Sequence, residues 1–184
     1  MNGIRQLNVL LNSAIQEFPD FKIRPKSNSL FMKSISIFLK ILTFGKNTQF
    51  MDNYYTTIGH TIYVPNNYNN SSELERVAVI RHELVHMRQA RKYSQFIFSI
   101  LYLFIIFPIG LAYFRAKFEK EAYEESMRAR AEFYGMSALD DIKYKQQLTG
   151  HFTSSDYLWM WPFPKSIEKW YGATVEKLRK EISP

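Results

Sequence analysis

Two histidines four residues apart, with a glutamate beside the first, form the run His82-Glu83-Leu84-Val85-His86. On a helix, side chains at i and i+4 lie on one face, so both imidazoles can reach a single metal ion. Glu83 stands between them, placed to act on a metal-activated water rather than on the metal. Two neutral nitrogen ligands, a carboxylate base and an open coordination position are the parts needed for metal-assisted hydrolysis. The chain has four histidines and no cysteine. A metal site here must therefore be built from imidazole and carboxylate, and zinc is the expected ion.

A four-coordinate hydrolytic centre needs a third protein ligand. No histidine follows closely; the next is His151. The charged run Lys117-Phe118-Glu119-Lys120-Glu121-Ala122-Tyr123-Glu124-Glu125-Ser126 supplies carboxylates instead. A helix that brings a ligand against the His-bearing helix needs small residues at the contact. Ala122, Ser126 and Ala129 share a face with Glu119. Glu125, Arg128 and Glu132 share one with Glu121, which reads as a solvated, ion-paired surface. The two glutamates point about 200° apart on a helix, so one ligates and the other does not. Glu119 is favoured, with Glu121 the alternative.

The elements that must position these groups follow from periodicity. Ile4 to Phe18 has helical spacing and stops at Pro19. Lys22 to Ser29 reads as a polar linker. Leu30 to Phe44 is a second helix, apolar but for Lys33 and Lys40. It fits a core helix with two snorkelling lysines better than a helix lying on a membrane. Tyr54 to Val64 alternates β-forming residues around Gly59 and predicts a hairpin closed by Pro65. Ser71 or Ser72 caps a helix from Glu73 to Tyr93, with Glu75 in its first turn and Val77, Ile80, Leu84 and Met87 as its buried stripe. This helix carries the histidines. Arg115 to Tyr134 is the helix of the third ligand and ends at Gly135. Beyond it lie the run Trp159-Met160-Trp161-Pro162-Phe163-Pro164 and a last helix, Ser166 to Glu181.

The HExxH helix completed by a glutamate on a later helix resembles the gluzincin metallopeptidases. Glu119-Lys120-Glu121-Ala122-Tyr123 is similar to the E-x-x-A-D pattern of their membrane-protease branch and of small bacterial and phage zincins. The resemblance spans about Thr57 to Gly135. It implies zinc held by His82, His86 and Glu119, Glu83 as general base, and a protein or peptide substrate. Tyr123 stands where that pattern has Asp, a residue that orients a ligating histidine. Thermolysin-like enzymes have Glu-Ala followed by an acid four residues after the Glu, a register that Glu121-Ala122 and Glu125 fit. Zincin-like domains also place an edge strand above the metal to pair with an extended substrate, a role open to Ile58 to Pro65. The fold expected is α+β: a mainly helical zincin-like domain with a small antiparallel β-hairpin edge beside the HExxH active-site helix. It forms one domain over 1–184, with N-terminal helices in 1–48, the metal-site core in 50–135 and an aromatic-rich segment in 136–184. Candidate donors to the oxyanion are His151 and Tyr157.

The formal charge of +7 and pI near 9.5 suit an anionic partner such as a membrane surface. No Gly-rich phosphate loop or nucleic-acid module is present, which argues against nucleic acid. No signal peptide is read at the N-terminus, and the lack of cysteine fits a reducing compartment, so the expected location is cytoplasmic. Tyr93 to Phe114 holds 22 consecutive uncharged residues, enough for one membrane pass. A single pass would put His86 and Glu119 on opposite sides, so a shared metal requires a buried broken helix or a lipid-dipping hairpin, bent near Pro108 and Gly110. The competing class is a non-enzymatic, membrane-associated basic protein with an incidental or structural metal site.

Overall fold

The computed structural model describes residues 3–42, 45, 49–103, 113–154 and 160–182. The chain is mainly helical with one small mixed sheet, an α+β fold. It divides into two compact units, Met1–Glu83 and Leu84–Pro184.

The first unit opens with α1 (Gly3–Glu17), then β1 (Lys22–Pro25), a 3-10 turn (Lys26–Asn28), α2 (Leu30–Leu42) and the single turn α3 (Phe50–Asn53). The hairpin follows as β2 (Thr56–Ile58) and β3 (Thr61–Val64). Gly59, at φ +57°, makes its two-residue turn possible, because only glycine adopts that backbone without a Cβ penalty. The strand order is β1-β3-β2, with β1 parallel and β2 antiparallel to β3. This corrects two expectations. Lys22 to Ser29 is no linker: Lys22–Pro25 is a sheet edge, without an alternating apolar pattern because it is largely exposed. The second half of the expected pairing edge, Thr61–Val64, is the central strand; among the described residues β2 is the hairpin strand paired on one side only.

Helix α4 (Glu73–Tyr93) has the predicted bounds. Ser72 and Glu75 form a reciprocal cap: the Ser72 N–H donates to Glu75 Oε2 at 2.8 Å, and the Glu75 N–H donates to Ser72 Oγ at 3.3 Å. Val77, Ile80, Leu84 and Met87 are all buried. The helix breaks at Ser94, whose φ is +64°, and α5 (Gln95–Leu103) begins at once.

In the second unit α5 packs beside α6 (Tyr113–Tyr134). Phe98, Ala90 and Phe118 form a small buried cluster, with the Phe98 and Phe118 ring centroids 5.2 Å apart. Among the described residues no helix is long and apolar enough to cross a membrane. Pro108 and Gly110, the expected bend, lie outside the described residues. Gly135 ends α6 at φ +83°. A 3-10 turn (Met136–Leu139) leads to α7 (Ile142–Thr153), a helix the sequence reading did not contain, and then to α8 (Pro164–Ile182). Met127, Leu139, Phe152, Ile167 and Leu178 centre the core of this unit.

Candidate metal centre

The residues with metal-binding chemistry are ordered by helical pitch. On α4, His82 is half-buried, while Glu83, His86 and Gln89 are buried. On α6, Glu119, Ala122 and Ala129 are buried along one face. The opposite face carries Arg128 ion-paired to Glu124, Glu125 and Glu181. The small residues let α6 bury a carboxylate, as their spacing predicted.

His82, His86 and Glu119 each offer one ligand atom, and these atoms lie within 4.8 Å of one another. The group could hold a metal ion. His86 Nε2 stands 3.7 Å from Glu119 Oε1. That is too long for a hydrogen bond. It is close to the roughly 3.3–3.6 Å edge of a tetrahedron with donors at ~2.0–2.2 Å from zinc.

Gln89 fixes the state of His86. Its amide nitrogen donates to the Phe118 carbonyl at 3.0 Å and to Glu121 Oε2 at 2.9 Å. Both amide hydrogens are thereby used, so Oε1 faces His86 Nδ1 at 2.9 Å as an acceptor. Nδ1 then carries a proton, and in a neutral imidazole the lone pair lies on Nε2, the atom nearer Glu119. Gln89 was not among the expected site residues. Its signal was its place three residues beyond the second histidine, on the face the histidines share. Glu121, the alternative third ligand, instead anchors this glutamine.

Glu83 Oε2 accepts a hydrogen bond from Thr57 Oγ1 at 2.6 Å. Thr57 lies on β2, so the outer strand of the hairpin holds the carboxylate. Lys26 is a further unpredicted member of this surrounding. It is fully buried; its Nζ donates to the Phe50 carbonyl at 2.8 Å and sits 3.5 Å over the Phe50 ring. Burial lowers its pKa to about 7, and the Glu83 charge opposes the shift in part. Nothing in a lone lysine within a polar run announces this.

Tyr123, one turn beyond Glu119, has its hydroxyl 2.6 Å from His151 Nδ1. Orientation of His86 falls to Gln89, while Tyr123 engages the histidine proposed as an oxyanion donor. Tyr157 lies outside the described residues. No known protein family, curated protein or solved structure matches this chain.

Proposed function

We propose that the chain is a zinc-dependent metallopeptidase with His82, His86 and Glu119 as ligands and Glu83 as general base. The observation that carries this reading is the convergence of two helix-borne imidazoles and a buried carboxylate, with the HExxH glutamate buried beside them. An ion held there by His82, His86 and Glu119 would supply Lewis acidity and an acidified water. Thr57 occupies Oε2 of Glu83, so Oε1 takes the proton from the attacking water. The water oxygen adds to the scissile carbonyl carbon, the C–N bond breaks, and Glu83 returns the proton to the leaving amine. Gln89 keeps His86 in the ligating tautomer. A protein or peptide substrate is favoured because β2, which carries Thr57, pairs on one side only among the described residues. An extended chain can add to that edge by main-chain hydrogen bonds, with little demand on sequence.

The test is metal analysis joined to hydrolysis of an unfolded protein substrate. The purified protein should carry about one zinc per chain, and His82→Ala or His86→Ala should abolish both metal and activity. Glu83→Gln should keep the metal and lose hydrolysis. Undiminished hydrolysis by Glu83→Gln would sink the mechanism, and a protein unable to bind zinc would sink the class.

A further inference from the structure

Helix α2 is apolar on the side it buries and also on the side it shows to solvent. Met32 is fully buried and Leu39 half-buried. Yet Leu30, Phe31, Ile37, Phe38 and Ile41 are exposed, from 59% for Phe31 to 81% for Leu30. At about 100° per residue these five fall within an arc of roughly 120°, which also holds exposed Ser34, whose hydroxyl donates to the Leu30 carbonyl at 3.0 Å. Lys33 and Lys40 lie together on one border of that arc and are exposed. The sequence reading, a core helix with snorkelling lysines, accounts for the buried side only. A water-soluble surface rarely carries five large apolar side chains on one helix face without something to cover them.

We infer that α2 lies in the plane of an anionic lipid bilayer, with its apolar arc in the acyl boundary and Lys33 and Lys40 at the phosphate level. Charge supports this occupant. From Phe21 to Met51 the sequence has no acidic residue, and Lys22, Arg24, Lys33 and Lys40 are exposed. At the helix's N-terminal end, an open recess of about 550 Å³ is lined by Arg24, Pro25, Asn28, Ser29 and Leu30. Arg24 there sits next to the start of the apolar arc, where a lipid phosphate would meet it. Length also fits. The 13 residues of α2 span about 20 Å, short of the ~30 Å hydrocarbon core, so the helix lies flat rather than crossing. A second copy of the chain is a poorer cover. Pairing two such arcs would bring lysines against lysines with no acid on the same element to offset them. This inference stands apart from the metal centre and concerns a different helix from the apolar stretch 93–114.

The experiment is flotation of the full chain with vesicles of phosphatidylcholine alone or with about one-third phosphatidylglycerol. Binding to the anionic vesicles should be at least 10-fold tighter and should weaken in high salt. The double variant Ile37→Glu with Phe38→Glu should lose binding at least 10-fold, with unchanged circular dichroism. Both positions are exposed, so folding is preserved. A second readout uses the absence of native cysteine. An environment-sensitive dye on Ile41→Cys should shift to the blue on anionic vesicles, while the same dye on Lys180→Cys should not. Binding undiminished in the double variant, or equal binding to both vesicle types, overturns the inference. So does a wild-type dimer that the double variant dissociates while neither form floats.

Discussion

At the scale of single residues, the candidate centre is governed by who holds whom. Glu119 faces His86, and Glu121 holds Gln89, which holds His86. Three substitutions should therefore rank in their effect on metal affinity. Glu119→Ala removes a proposed ligand and should be the most damaging. Gln89→Ala frees His86 to rotate or change tautomer and should cost about 10–100-fold in affinity. Glu121→Ala removes only one of the two anchors of Gln89 and should cost less. Competition against a chelating dye measures all three; a Glu121→Ala loss larger than that of Glu119→Ala would move the ligand to Glu121. Lys26 gives a prediction of another kind. Its folded pKa of about 7 is below the ordinary 10.5. Between those values the unfolded chain binds more protons than the native one, so stability rises with pH across this window. Below pH 7 the amine is charged in both states and its burial cost is present in full. At about 1.4 kcal/mol per unit, the rise has an upper bound of about 5 kcal/mol. Lys26→Met should flatten it, as read from urea unfolding at pH 7 and pH 10. An unchanged slope would show that Lys26 is not the titrating group.

At the scale of elements, the parts that hold the candidate ligands were the parts the sequence announced. The α4 helix has a capping pair at Ser72 and Glu75 and a stripe at 77, 80, 84 and 87; α6 has small residues beside Glu119 and a glycine stop. Each is a local signal that packing reinforced. What escaped is set mainly by partners distant in sequence. β1 is set by pairing with β3, a contact across the chain that its own Lys-Ile-Arg-Pro pattern does not suggest. Gln89, Thr57 and Lys26 matter through partners distant in sequence. Helix α7 buries only Leu148 and Phe152, too few apolar positions to stand out as a stripe, although Asp141 caps its first turn. Gly135 is the sharpest test of the element reading. At φ +83° and ψ 161° it occupies backbone space that is nearly closed to other residues. Gly135→Ala should cost about 1–3 kcal/mol, although the added Cβ meets nothing closer than Ser137 Oγ at 4.0 Å. Thermal melting checks it; no loss of stability would mean that the helix end relaxes to a different turn.

At the scale of the whole molecule, metal and stability must be linked if the ligand group is real. Any ion that binds the native chain and not the unfolded one stabilises it by RT ln(1 + [L]/Kd), about 2.7 kcal/mol at 100 times Kd. For a chain of this size each kcal/mol raises Tm by roughly 2–4 °C, so near-saturating zinc should raise it by roughly 5–11 °C. The chain has no thiolate to bind zinc in the unfolded state, and only four histidines, so competing affinity for the unfolded chain is small. A chelator should reverse the shift. His86→Ala should melt with no response to zinc, and Glu83→Gln should respond as the wild type does, because it changes the proposed base and leaves the proposed ligands. Differential scanning fluorimetry across zinc, chelator and these two variants decides the matter: a zinc shift that survives His86→Ala would place the ion elsewhere on the chain.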